Sequence, residues 1–82
     1  MPSLQDVAAA RRMYASGAAR RLREQAGLSA SEVAEHLGVS GATVSLWERG
    51  QRTPSTEHLP ALVALLRELA DVVAVLDPEE SS

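Results

Sequence analysis

Arginine supplies all of the permanent positive side-chain charge in this 82-residue chain, and seven of the eight arginines lie between residues 11 and 54. Four glutamates share that stretch, so its formal charge is +3, whereas the remainder, with one arginine and seven acidic residues, carries −6. Clustered arginines suit phosphate oxygens. The net charge of −3 therefore conceals a basic half that favours a polyanionic partner, and we expect the acidic C-terminal half to face elsewhere.

The chain has few residues suited to catalysis or to metal binding. There is no cysteine, which excludes disulfides, thiol nucleophiles and thiolate metal ligands. His36 and His58 are separated by a turn-rich stretch and are not clustered with carboxylates, and there is no glycine-rich phosphate loop. We therefore expect neither an enzyme nor a metal or cofactor site.

Length and hydropathy set further expectations. No apolar stretch reaches the roughly 20 residues that a membrane span needs, and the start of the chain lacks a signal-peptide pattern, so we expect a cytoplasmic protein without a membrane partner. The length leaves no room for a separate ligand-sensing domain, so no small-molecule effector is expected. Hydrophobic residues make up 45% of the chain but only Tyr14 and Trp47 are aromatic, which favours helices with an aliphatic core.

Capping signals divide the first third of the chain into helices. Ser3, with an acid three residues later, predicts a helix that runs to about Ala15. Ser16-Gly17 marks either a break or a kink, so one long helix and two helices both remain open. The segment 18–25 is expected to be helical and to end at Gly27, which suits a left-handed cap.

Two short helices follow, each with its own cap. Ser29 precedes an acid by three residues, the capping-box signature of a helix over about 30–37, and Gly38 ends that helix. Ser40 caps a second helix over 41–49. Two such short helices joined by so few residues do not easily lie antiparallel, so they are expected to cross steeply, as in a helix-turn-helix.

The last helical region is expected to begin at Ser55, and from residue 59 to residue 76 it is strongly apolar. Its branched side chains recur at alternating spacings of three and four residues, a heptad-like seam. The seam consists of Leu59, Leu62, Leu66, Leu69, Val73 and Leu76. Asp77-Pro78 is expected to stop the helix and to leave a frayed acidic tail at 79–82.

A resemblance to a known family is found at residues 30–50. Their sequence, ASEVAEHLGVSGATVSLWERG, resembles the helix-turn-helix of the Cro/lambda-repressor type, also called the XRE family. Ala34 and Gly38 hold the positions where the two helices approach and where the turn favours a positive φ. The apolar positions are held by Val33, Leu37, Val39, Val44 and Trp47. The resemblance extends over 18–66, which is 49 of the 82 residues.

This resemblance implies an all-α, lambda-repressor-like helix-turn-helix bundle, here with an extra N-terminal helix and a long C-terminal helix. It also implies that helix 41–49 is the recognition helix, which enters the major groove of double-stranded DNA. The residues expected to contact bases are Ser40, Gly41, Ala42, Thr43, Ser45 and Leu46. Those expected to contact phosphates are Ser29, Ala30, Ser31, Arg49, Gln51 and Arg52. Arg23 and Glu48 resemble a structural ion pair that links the first family helix to the end of the recognition helix.

The base-reading positions depart from the family's usual chemistry. Relatives commonly carry Gln, Arg, Ser or Asn where this chain has Gly41, Ala42 and Leu46. Direct readout is then expected to rest on the hydroxyl groups of the helix and on apolar contact with thymine methyl groups. Sequence-dependent DNA shape is expected to supplement it.

Three regions are expected along the chain: an N-terminal helical extension at 1–17, a DNA-binding domain at 18–66, and a dimerisation helix with an acidic tail at 67–82. Apolar residues of the last helix that match no family core position are expected to form a homodimer interface. They are Leu69, Val72, Val73, Val75 and Leu76. The hypothesis is a dimeric repressor on a palindromic operator. The alternative is an antitoxin or adaptor whose last helix binds a different protein.

Overall fold

The computed structural model describes residues 2–76, so the expected helix stop at Asp77-Pro78 and the acidic tail at 79–82 lie outside the described residues. Regular structure in 2–76 consists of helices and contains no strand, which confirms the all-α prediction. The helices are α1 (Leu4–Ser16), α2 (Ala18–Gln25), α3 (Ala30–Leu37), α4 (Gly41–Glu48) and α5 (Leu59–Leu76), and a short 3-10 helix, Thr56–His58, leads into α5.

A left-handed glycine separates the first two helices. Gly17 has a φ of +86°, which L side chains rarely adopt, and it follows α1 and precedes α2 directly. Its N–H donates to the Tyr14 carbonyl at 3.3 Å and so closes α1. The chain therefore forms two helices here rather than one kinked helix.

One core joins all five helices. Trp47, Val44 and Leu62 are its most deeply buried large side chains. The Tyr14 ring meets the Trp47 ring edge-on, with centroids 5.9 Å apart and planes at 81°, a favourable aromatic arrangement. The helix α1 therefore contributes to the same core as the family motif, and Gly17 marks a boundary between helices rather than between cores.

The same helix covers part of α5. Arg67 Nη2 lies 2.9 Å from Asp6 Oδ2, which ties α1 to α5. Leu69, one turn beyond the core leucines of α5, is only 4% exposed and belongs to the core. The prediction that Leu69 lacks cover within the chain is therefore wrong. The family motif begins at residue 18, so it carried no information about a preceding helix that packs against α5.

The last two turns of α5 lie outside this cover. Val73 is half-buried. The exposed apolar side chains beyond the core are Val72 at 44%, Val75 at 78% and Leu76 at 64%. We call the surface formed by Val72, Val73, Val75 and Leu76 the α5 apolar end. Contiguous apolar surface of this kind is typical of an interface.

Truncating two leucines of α5 should separate core from surface. Leu69→Ala removes a buried side chain and should lower the free energy of unfolding by about 2–5 kcal/mol. Leu76→Ala removes the same atoms from an exposed side chain and should change it by less than about 0.5 kcal/mol. Urea unfolding followed by circular dichroism, at a protein concentration low enough to avoid association, measures both. Equal losses would contradict the burial of Leu69.

Candidate nucleic-acid interface

Side-chain caps define the start of α3. The Glu32 N–H donates to Ser29 Oγ at 3.0 Å, and the Ser29 N–H donates to Glu32 Oε1 at 2.9 Å. Donation from the Ser29 backbone holds the pKa of the Glu32 carboxyl below its usual range. Of the three residues expected to meet a phosphate here, Ser29 thus already uses its N–H. The N–H groups of Ala30 and Ser31 remain at the helix start.

The helix α4 has one buried and one accessible side. Val44 and Trp47 are buried and hold the helix against the body of the chain. The six residues expected to contact bases are the exposed Ser40 and Ala42 and the half-buried Gly41, Thr43, Ser45 and Leu46. The small residues at the start of α4 therefore lie on a surface that a ligand can reach.

Two hydroxyl groups of this surface are bonded to each other. Ser40 Oγ and Thr43 Oγ1 are 2.8 Å apart, and Ser40 Oγ also accepts the Thr43 N–H at 3.1 Å. Each hydroxyl carries one hydrogen, and one of the two is used between them. The pair can therefore donate only one hydrogen bond to a base.

Gly41 lies where α3 and α4 cross. A Cβ at this position would be 3.3 Å from Ser31 Oγ, which is closer than an ordinary van der Waals contact. Ala34, the other small residue expected between the two helices, is buried, and its carbonyl accepts the Val39 N–H at 3.0 Å in the turn after α3. A side chain at position 41 would therefore need Ser31 Oγ to move by a few tenths of an ångström, and the glycine present offers only main-chain atoms.

The loop after α4 is fixed by the Leu46 carbonyl, which accepts the N–H of Gln51 at 2.9 Å and that of Arg52 at 3.3 Å. Arg49 lies along the helix, with its Nε donating to the Ser45 carbonyl at 3.3 Å. All three side chains expected to contact phosphates at this end, those of Arg49, Gln51 and Arg52, are exposed. All three residues therefore follow α4 directly and are accessible there.

Arg23 and Glu48 form a two-point ion pair between α2 and α4. Arg23 Nε donates to Glu48 Oε2 at 2.8 Å and Nη2 donates to Oε1 at 2.9 Å. Nη1 donates to the Leu28 carbonyl at 2.9 Å. The hydrogen bonds with Glu48 raise the pKa of the Arg23 guanidinium. The two side chains are 12% and 6% exposed, so the structure brings the expected partners together in a largely buried position.

Comparison with known proteins decides the family. The chain matches the family described as "Helix-turn-helix domain" over residues 15–80, which is most of its length. The chain belongs to the helix-turn-helix family. The resemblance of residues 30–50 to an XRE-type helix-turn-helix is thereby confirmed.

Curated relatives of this helix-turn-helix chain come from Mycobacterium tuberculosis. An uncharacterized HTH-type transcriptional regulator of strain CDC 1551 and one of strain H37Rv are each 39% identical to it over 67 residues. The matches cover 77% of this chain and 48% of each relative, so the chain spans about half the length of the curated relatives it matches. No solved structure shows a significant match.

Metal clusters and membrane spans are absent from the described part of the helix-turn-helix chain. Within residues 2–76, no three metal-ligating side chains come together. No helix in that same range is both long and apolar enough to cross a bilayer.

Two features of the helix-turn-helix surface were not predicted from the sequence. One is the closeness of Gly41 to Ser31, for which the only signal in the sequence is the small residue itself. The other is a groove between α1 and the loop after α4, which brings Arg11 and Arg12 beside Arg52. No local pattern could reveal it, because its two walls are far apart in the sequence.

Breaking the buried ion pair should destabilise the helix-turn-helix fold. Arg23→Met leaves Glu48 largely buried without its partner and should lower the free energy of unfolding by about 3 kcal/mol. Arg20→Met is the matched control, because Arg20 lies on the same helix and pairs with Glu24 at 3.4 Å while both side chains are more than half exposed. Its loss should cost less than about 1 kcal/mol. Thermal unfolding compares the variants, and equal melting temperatures would contradict the role given to Arg23.

Proposed function

We propose that the chain binds double-stranded DNA through α4 and regulates transcription as a homodimeric repressor. The observation that carries this proposal is the orientation of α4. Buried Val44 and Trp47 fix one side, and the opposite side is accessible next to the exposed Arg49 and Arg52. A helix held in this way can enter the major groove. The relatives named HTH-type transcriptional regulators support the same function.

Base readout in this proposal rests on small groups. Ala42 and Leu46 offer apolar contact to thymine methyl groups. Ser40 and Thr43 together offer one free hydroxyl hydrogen, and Ser45 offers a further hydroxyl group. Because these contacts are few in each half-site, sequence-dependent DNA shape supplies part of the specificity.

Phosphate contacts lie on both sides of the base-reading residues. The DNA backbone is contacted at the exit of α4 by the side chains of Arg49, Gln51 and Arg52. The N–H groups of Ala30 and Ser31 bind a DNA phosphate at the N-terminus of α3, where the helix dipole favours an anion. Each phosphate that is neutralised releases counterions, so the affinity falls as salt rises.

A second copy of the chain doubles the sequence that is read. One α4 spans a single half-site, and two copies about one DNA turn apart favour a palindromic operator. The α5 apolar end, with Val72, Val75 and Leu76 exposed and Val73 half-buried, is the surface we assign to the dimer. Leu69, which the sequence groups with these residues, is buried in the core and is not part of that surface.

The alternative function is that of an antitoxin or adaptor, in which the α5 apolar end binds a different protein. One observation favours it: the residues of α4 expected to read bases include no long polar side chain. The acidic residues Glu68 and Asp71 are exposed on the same helix, close in sequence to the α5 apolar end. The mass of the chain in solution distinguishes the two functions.

Removing the arginines at the exit of α4 should weaken binding to duplexes of any sequence. For Arg49→Ala and Arg52→Ala, the negative slope of log affinity against log salt should become less steep by about 0.9 for each lost phosphate contact. Arg67→Ala removes the same charge from α5, where Arg67 pairs with Asp6, and should leave the slope unchanged. Fluorescence anisotropy measures the affinities. An Arg49→Ala, Arg52→Ala double variant that binds like the unaltered chain would contradict the proposed docking.

The homodimer should give a light-scattering mass of about twice the 8.7 kDa of one chain. Val72→Asp combined with Val75→Asp should yield a helical monomer, because both side chains are exposed in the single chain. Ala74→Asp adds a charge to another side of the same helical turn and should retain the dimer. A monomeric mass for the unaltered chain at tens of micromolar, with α5 still helical, would favour the antitoxin or adaptor function.

A further inference from the structure

The groove between α1 and the loop after α4 gathers three arginines. It has a volume of about 390 Å³, and Arg11 and Arg12 line it from α1 while Arg52 lines it from the loop. The buried rings of Tyr14 and Trp47 also contribute to its wall. No carboxylate is found among the described residues that line it. We call this space the arginine groove.

The arginines of this groove carry charge that the described part of the chain does not neutralise. Within residues 2–76, Arg11, Arg12 and Arg52 form no ion pair, in contrast to Arg23 and Arg67. All three groove arginines are exposed. Like charges that line one groove repel each other, and a bound anion would relieve that repulsion. The arginine groove therefore favours an anionic ligand.

Arg52 connects this groove with the accessible side of α4. It also lines a second groove, together with Ser40 and Thr43 from the start of α4. The two grooves therefore adjoin at Arg52, and the second is lined by two residues assigned above to DNA. Its wall on α1 is held in place by the contact of Tyr14 with Trp47, so the backbone that carries Arg11 and Arg12 is fixed relative to α4.

We propose that Arg11 and Arg12, together with Arg52, bind a phosphate group of the DNA backbone beyond the bases that α4 reads. The inference rests on the proposed function and extends its contact surface to α1. A guanidinium group binds two phosphate oxygens at once, which suits a phosphodiester. Such a contact carries no sequence information, so it adds affinity and fixes the orientation of the chain on the duplex.

The test compares an Arg11→Gln, Arg12→Gln double variant with the unaltered chain on a duplex of mixed sequence. Loss of one phosphate contact should make the negative slope of log affinity against log salt less steep by about 0.9. Between about 50 and 200 mM salt, the unaltered chain should therefore lose roughly 3.5-fold more affinity than the variant. Equal melting temperatures of the two proteins check that the exposed substitutions leave the fold intact.

A charge-matched control separates a site from a general effect of net charge. Gln5→Glu combined with Arg67→Gln also lowers the net charge by two, and neither residue lines the arginine groove. This control should keep the salt slope of the unaltered chain. Two results would overturn the site. One is an unchanged salt slope in the Arg11→Gln, Arg12→Gln variant, and the other is a salt slope that becomes less steep by the same amount in this variant and in the control.

The outcome also distinguishes this site from the proposed function. If the unaltered chain binds no duplex even at about 50 mM salt, where phosphate contacts are strong, DNA binding itself is wrong and the groove loses its ligand. If Arg49→Ala makes the salt slope less steep while the Arg11→Gln, Arg12→Gln change does not, DNA binding through α4 stands and only the contact from α1 is wrong.

Discussion

The burial of Trp47 is the constraint on which the orientation of α4 depends. Its indole packs against the Tyr14 ring of α1 and against the His58 imidazole, whose centroid is 5.8 Å away with the planes at 50°. Because α4 has only eight residues, placing this one large side chain in the core decides which side of the helix faces outward. Ser40 and Ala42 are exposed as a consequence, and α1 packs against the same core through Tyr14.

An ion pair at the residue next to Trp47, at the C-terminal end of α4, completes this arrangement. Glu48 is the last residue of the helix, where the helix dipole disfavours a negative charge. Arg23 supplies the compensating positive charge and also binds the Leu28 carbonyl in the turn between α2 and α3. The buried indole therefore sets the rotation of α4 about its axis, and the ion pair sets the position of its C-terminal end. The two together hold the accessible side of α4 rigidly, as a base-reading helix requires.

Short-range signals predicted the helices, and long-range packing accounts for what they could not predict. The caps at Ser29 and Ser40 occur where expected, because a cap acts within one turn of chain. At Gly17 the sequence located the interruption, but only the φ of +86° decides between a kink and a break. The burial of Leu69 and the closeness of Gly41 to Ser31 come from packing between different helices, which the pattern of a single helix does not show. The ion pair between α2 and α4, whose partners are 25 residues apart, was found through the family resemblance rather than from spacing.

Selection of bound sequences from a pool of random duplexes tests most directly whether the oriented α4 reads DNA. An α4 presented twice by a dimer predicts an enriched palindrome whose half-sites lie about 10 base pairs apart. Thymines should be enriched within each half-site, because the apolar side chains of Ala42 and Leu46 favour contact with thymine methyl groups. The contrary result is a pool in which no sequence is enriched and all duplexes are bound equally through their phosphates. That result would contradict the assignment of α4 as the recognition helix.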